Sequence, residues 1–288
     1  MAMRLLDGKM VSEAFKDAAK KWIEENNLVH KIRLDVIQIG NEAASNTYIK
    51  NKQKACDYVG INMVVHHFDY GAQERDVAKL IKKLNCDDAV NGIFLQMPLP
   101  EHLDVDYLID CIVPTKDIDG LTIINQGLLA MGDNGGLKPC TPMGVIGLIS
   151  LYDIDVDGAN CVVVGRSNMV GSPLATMLTQ KNATVTLCHS HTKNLKEVCK
   201  SADILICAIG KPKFFTRDYV KDGAVVVDVG INKDENNKLC GDVDFDDVCE
   251  VAGAITPVPG GIGPMTISAL IHNCIGAWKT QQGDDCDY

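Results

Sequence analysis

Along this chain, stretches with apolar residues every three or four positions alternate with short runs that are apolar throughout. That alternation predicts helices separated by buried strands, the signature of an α/β fold with parallel sheets. In the first half, KIRLDVIQIG (31–40), INMVVHHFD (61–69) and VNGIFLQMPLP (90–100) read as strands, the last stopped by Pro98 and Pro100. NEAASNTYIKNKQKACDYVG (41–60) and ERDVAKLIKKLN (74–85) read as helices, the former ending at Gly60 as a C-cap. DVDYLIDCIV (104–113) is a further helix, closed by Pro114. The softer GDNGGLKPC (132–140) marks a domain boundary. Thr141 then predicts an N-cap, with Pro142 at the first position of the helix PMGVIGLISLY. Beyond it, NCVVVG (160–165), ATVTLCHS (183–190), ADILICAIG (202–210) and GAVVVDVGI (223–231) read as strands covered on both faces. MTISALIHNCIGAWK (265–279) closes the pattern as an amphipathic helix.

At 288 residues the chain is long enough for about two domains. With 46% hydrophobic and 23% charged residues, it is neither disordered nor collagen-like. No apolar run reaches the 18 or so residues of a membrane span, and the apolar stretch of MAMRLLDGKM is too short for a signal peptide. A net charge of −10 with no long basic block argues against nucleic acid or a membrane surface as partner. It leaves room for a compact anionic ligand held by one or two local cations. The 12 cysteines stand singly with no CxxC, so reduced thiols and a cytoplasmic location are expected.

One anion site is readable in CVVVGRSNMVGSPLATMLTQK (161–181). A buried strand ends at Gly165, a tight turn follows, and a helix begins at Ser172–Pro173, with Ser172 as its N-cap. Free N–H groups and the helix dipole then point into the turn, and Gly171 lets the backbone approach a pyrophosphate closely. The spacing is not GxGxxG, since the glycines are six apart. The next strand ends in Cys188-His189-Ser190-His191, with no acid to take a ribose hydroxyl. Arg166 and Ser190 are suited to a 2′-phosphate instead, which favours NADP over NAD. The plain alternative is a surface arginine and a capping serine. A zinc site in the Cys/His cluster is not expected, because neighbouring strand residues point to opposite faces.

The first half carries candidate chemistry. On the helix 41–59, Ala44, Tyr48, Lys52, Ala55 and Val59 share one apolar stripe, at about 100° per residue. A lysine there is expensive unless it is used. Burial would lower its pKa and suit it to proton transfer, whereas a snorkelling lysine would keep its head in water. YxxxK also occurs in short-chain dehydrogenases, but there it follows the dinucleotide turn, and here it precedes it. Gln96 interrupts a strand where its C-terminal end should open on a crevice; a satisfied edge residue is the alternative. Asp117 and Asp119 lie in the turn PTKDIDG, where a local backbone bond is the usual role. TPVPGGIGPMT (256–266) is either a hinge or a rigid wall against a flat ligand.

In order along nearly the whole chain, these segments resemble the bifunctional methylenetetrahydrofolate dehydrogenase/cyclohydrolase family. The resemblance rests on ASNTYIKNKQKAC, LQMPLP, PTKDIDGLT, KPCTP, VVVGRSNMVGSP, TVTLCHS, DVGIN, GDVDF and TPVPGGIGPMT. It implies NADP-dependent oxidation of 5,10-methylene-tetrahydrofolate to the methenyl form, then hydrolysis to 10-formyl-tetrahydrofolate. Tyr48, Lys52 and Gln96 would be the catalytic group, with Tyr48 and Asp119 also binding the substrate. Gly165, Arg166, Ser167, Gly171, Ser190 and Ile231 would line the NADP site. Pro259, Gly260, Gly263 and Pro264 would border the folate cleft, and no metal is implied. The architecture implied is an α/β catalytic domain, 1–138 joined by a C-terminal helix 265–288 that returns to it. A Rossmann-like domain, 139–264, would face it across a cleft, and a homodimer is usual in the family. The rival readings are another two-domain NADP dehydrogenase, resembling shikimate dehydrogenase, and a catalytically silent NADP-binding module.

Overall fold

A computed structural model describes residues 3–283, apart from the side chains at 43 and 44. The side chain of Ala44 in the predicted stripe and residues 284–288 of the predicted closing segment lie outside what is described. The chain divides into two compact units. Ala14–Cys140 and the chain from Ile267 onward form one; the chain up to Glu13 and Thr141–Thr266 form the other.

The chain opens with β1 (Arg4–Leu5) and α1 (Gly8–Glu25). β2 (Arg33–Ile39), α2 (Ala43–Val59), β3 (Asn62–Phe68), α3 (Glu74–Asn85) and β4 (Gly92–Leu95) then follow the predicted rhythm. α4 (Val105–Asp110), a 3-10 turn at Pro114–Lys116 and α5 (Ile123–Met131) complete the first half. The second half runs α6 (Cys140–Leu151), β5 (Asn160–Val164), α7 (Gly171–Gln180), β6 (Thr184–Cys188), α8 (Leu195–Lys200), β7 (Ile204–Cys207) and β8 (Val225–Asp228). A short hairpin of β9 (Asn232–Lys233) and β10 (Leu239–Cys240) precedes α9 (Phe245–Val248), β11 (Ala254–Ile255) and α10 (Ile262–Gln282).

In the 14–140 unit, β3, β2 and β4 form a parallel sheet in that order. Ile37 and Ile39 of β2 and Ile93 and Leu95 of β4 pack with Val77 and Ile81 of α3 and Leu108 of α4. Side chains alternate along a strand, so Phe94 and the residue position of Gln96 face the opposite side. α2 ends as expected at Gly60, whose φ of +87° is the left-handed cap conformation. β4 stops at Leu95, short of the predicted end at Pro100, although the Gln96 N–H still donates to the Ile37 carbonyl of β2 at 2.9 Å. The last helix returns to this first domain: Trp278 meets Trp22 edge to face at 6.2 Å, and Gln281 donates to the Asn91 carbonyl at 2.8 Å.

The 141–266 unit holds a six-stranded parallel sheet in the order β1-β11-β8-β7-β5-β6, a Rossmann-like architecture. β5, β7 and β8 are buried almost throughout, and Val162, Val164, Leu205 and Val226 pack in one core with Phe215 and Val248. β6 departs from the prediction of strands covered on both faces. It ends the sheet with only β5 beside it, and Thr184, Thr186 and Leu187 are exposed. β1, which the sequence pattern does not announce, pairs with β11, Arg4 opposite Ala254. Thr141 is not the N-cap of α6. The helix starts at Cys140, two residues before the predicted Pro142, and the Thr141 hydroxyl lies 3.2 Å from that of Thr266.

Candidate functional site

Two constellations stand out, one in each unit. In the 14–140 unit, α2 carries Tyr48 and Lys52 one turn apart on the same face, as the stripe predicts. Lys52 is only 3% exposed, beside the buried Ala55, Cys56 and Val59. It does not snorkel. Its Nζ donates to Gln96 Oε1 at 2.9 Å, while Gln96 Nε2 donates to the Met97 carbonyl at 2.7 Å, so the carboxamide is held in one orientation. Nζ also lies 5.9 Å from the Tyr48 ring centroid and 3.4 Å from that of Phe94. Sequence patterning missed Phe94, which reads there as one more core residue.

The electrostatics suit proton traffic. Burial pushes the Lys52 ammonium down to about 8, against the field of Asp119. Asp119, only partly exposed, is pushed up to about 6 by desolvation, against Lys52 and the backbone N–H of Cys140. Burial likewise raises the Tyr48 phenol. Asp117, two residues from Asp119, has the local role typical of a turn aspartate. Its Oδ2 accepts from the Thr122 backbone at 2.8 Å and from Asn125 Nδ2 at 2.9 Å. Sequence reasoning also missed Asn273 of α10, whose Nδ2 donates at 2.8 Å to the carbonyls of both Ile118 and Lys138. It thereby pins the two segments that carry Asp119 and Cys140.

In the 141–266 unit, the turn after β5 lies at a switch point. β6 flanks β5 on one side and β7 on the other, so a crevice is expected beyond their C-terminal ends. Gly165 has φ +121°, and a Cβ there would meet the Ala208 carbonyl oxygen at 2.1 Å. A Cβ on Gly171 would meet the Gly165 carbonyl oxygen at 1.8 Å. Only glycines let α7 start this close to the turn. Among the described residues the backbone N–H groups of Arg166 to Met169 have no partner, which leaves a cradle of donors for an anion. The predicted cap at Ser172 is a correction. α7 starts at Gly171 after Val170, and Ser172 Oγ donates instead to the Arg166 carbonyl at 3.1 Å, tying the turn shut. Ser167 closes it from within, its Oγ accepting from the Val170 N–H at 3.2 Å.

β5 and β6 pair with Val164 opposite Cys188, so Arg166 and Ser190 each follow two residues beyond the same rung. Both are exposed, and neither side chain has a partner among the described residues. These features match the phosphates of a dinucleotide with a charged 2′ substituent. Ile231, 48% exposed, follows β8 at the same edge of the sheet. Asp242 organises that edge. It accepts from the N–H groups of Ile209, Gly210 and Lys211 after β7 and from Asn232 Nδ2. Pro259 and Gly260 lie in the loop before α10, Gly263 and Pro264 in its first turn. Gly260 accepts from Lys9 N–H at 2.8 Å and Pro264 from the Ser12 hydroxyl at 3.0 Å.

Comparison with known proteins finds matches to both halves of the chain. The tetrahydrofolate dehydrogenase/cyclohydrolase catalytic domain matches residues 6–119, and the NAD(P)-binding domain of the same name matches residues 139–282. The bifunctional protein FolD of Agathobacter rectalis is 54% identical over 276 residues, 96% of this chain and 99% of that one. The crystal structure of the bifunctional FolD methylenetetrahydrofolate dehydrogenase/cyclohydrolase from Campylobacter jejuni superposes with a TM-score of 0.93. It is 43% identical, covering 97% of this chain and 99% of that one. The Trypanosoma brucei enzyme, solved with NADP cofactor and an inhibitor, gives a TM-score of 0.91 at 31% identity over 96% and 98% of the two chains. The chain belongs to the tetrahydrofolate dehydrogenase/cyclohydrolase family.

Proposed function

We propose that this chain oxidises 5,10-methylene-tetrahydrofolate with NADP+ and then hydrolyses the methenyl product to 10-formyl-tetrahydrofolate. The observation that carries the reading is the buried Lys52–Gln96 pair, coupled electrostatically to Asp119. NADP+, when bound, supplies the hydride acceptor. Loss of hydride from the methylene carbon is driven by the adjacent nitrogen lone pair and needs no proton transfer, so the protein contributes mainly position. Hydrolysis makes a different demand: water loses a proton as it adds, and a ring nitrogen gains one as the C–N bond breaks. Lys52, brought close to neutrality by burial and oriented by Gln96, carries that proton, with Tyr48 flanking it and the substrate. Asp119 anchors the pterin, since a carboxylate accepts two in-plane hydrogen bonds from an amino-pyrimidine edge.

Gly165, Ser167 and Gly171 give the pyrophosphate its close backbone, Arg166 and Ser190 hold the 2′-phosphate, and Ile231 lines the same site. Pro259, Gly260, Gly263 and Pro264 contact the folate. The same proposal makes residues 1–138 with the closing helix 265–288 the catalytic domain and residues 139–264 the NADP domain. We further assign a homodimer, supported by the family resemblance and by the outer edge of β3, which is unpaired among the described residues. A cytoplasmic location is supported by the free, mostly buried cysteines. Purified protein given methylene-tetrahydrofolate and NADP+ should form NADPH, with methenyl-tetrahydrofolate as intermediate and 10-formyl-tetrahydrofolate as product. No turnover of the folate, or turnover of shikimate in its place, would overturn the reading. Sedimentation at micromolar concentration should give twice the chain mass.

A further inference from the structure

Phe94 does not belong to the core on the α3 side of its sheet. It points the other way, 7% exposed, and its strand position is fixed by pairing with Val36 of β2. The Lys52 nitrogen stands 3.4 Å from the centre of its ring, and Phe94 lies two residues before Gln96, on the same face. An ammonium group has three N–H donors. One goes to Gln96 Oε1. One side of the group is filled by the ring, whose face is electron-rich and attracts a cation. No further hydrogen-bond partner is present among the described residues, so one donor is left for a substrate.

We propose that Phe94 is a positioning residue for the reaction, its ring face acting as the platform that steadies the Lys52 cation and aims its remaining N–H. The inference rests on Lys52 being the proton carrier. An aliphatic side chain of similar volume would give the same apolar wall without the negative face, so it would desolvate the ammonium and return nothing. The other titratable groups against Lys52 are Asp119, which favours the cation, the buried thiols of Cys140 and Cys56, and the phenol of Tyr48 on its own helix. None of these changes when the ring is altered.

The ring can be altered without changing its shape. Placing phenylalanine analogues with one, three and five ring fluorines at position 94 withdraws the negative face stepwise while the packing stays nearly constant. Lys52 is then titrated by NMR in protein labelled at the lysine ε-carbon, its signal identified by its loss in Lys52→Met. The pH dependence of the cyclohydrolase rate is measured in parallel. Both midpoints should fall with each step, by about one pH unit in total, the scale of a desolvated cation–π contact. Phe94→Leu should move them in the same direction. Midpoints that stay level across a series with unchanged melting temperatures would overturn the role of Phe94. Full cyclohydrolase turnover in Lys52→Met would overturn the assignment of Lys52 itself, and with it the catalytic meaning of Phe94.

Discussion

Near pH 7 the Lys52 ammonium, at about 8, and the Asp119 carboxyl, at about 6, are both mostly charged, yet each is close to its other form. That poise separates the two reactions. Lys52→Met should lower the cyclohydrolase rate by roughly 10²–10⁴-fold, the usual loss of a general acid–base group, while dehydrogenase activity stays measurable and methenyl-tetrahydrofolate is released. Equal loss of both rates with folate still bound would remove the division of labour. The same variant tests the burial. Lys52 titrates at about 8 in the fold and near 10.5 in the unfolded chain. Between those values the unfolded state binds more protons, so stability should rise with pH across that window. Relative to Lys52→Met, the native protein should gain at most roughly 3 kcal/mol in urea unfolding between pH 8 and 10.5. Parallel curves would show a lysine that titrates as in water. Lys52 was legible in the sequence because a charge in an apolar stripe contradicts its surroundings. Asn273 sends the same signal in the closing helix and could have been found by it. Phe94 could not, since its contact with Lys52 depends on which face of β4 meets α2.

At the scale of elements, the turn between β5 and α7 works through backbone and side chains separately. The backbone cradle would serve any dinucleotide, whereas Arg166 is assigned to the 2′-phosphate alone. Arg166→Ala should therefore weaken NADP by a few kcal/mol and NAD hardly at all. Gly171→Ala should weaken both alike, because its Cβ would collide with the Gly165 carbonyl and push α7 off the turn. Dissociation constants for the two cofactors check this, and an equal loss in Arg166→Ala would remove the 2′-phosphate assignment. The strand–turn–helix plan of this segment was readable from the run of valines and the two glycines. The cap was not. Ser172 matches the residue type of a helix N-cap, but the close approach of Gly171 lets the helix start two residues sooner and frees the hydroxyl for the Arg166 carbonyl. β6 was misjudged for a related reason: composition shows how apolar a strand is, while exposure follows from its place at the sheet edge.

For the molecule as a whole, the alternation of helical and strand patterns was enough for the α/β class, whereas the return of the last helix to the first domain came from the family resemblance. The start of the chain was the hard part. A strand of two residues has no periodicity, so nothing in its own sequence shows that Arg4–Leu5 extends the sheet built by residues 141–266. The course of the chain has a consequence for its manufacture. A ribosome emits the 14–140 segment while Asn273, Trp278 and Gln281 are still untranslated, so the carbonyls of Ile118 and Lys138 wait for their donor until the last helix is made. β1 waits too, from the first moments of synthesis, for a neighbour at Ala254–Ile255. Multidomain chains commonly fold their leading domain while the rest is still being made. Here each unit draws on both early and late stretches of the chain, so the leading segment of either is made well before the partner that completes it.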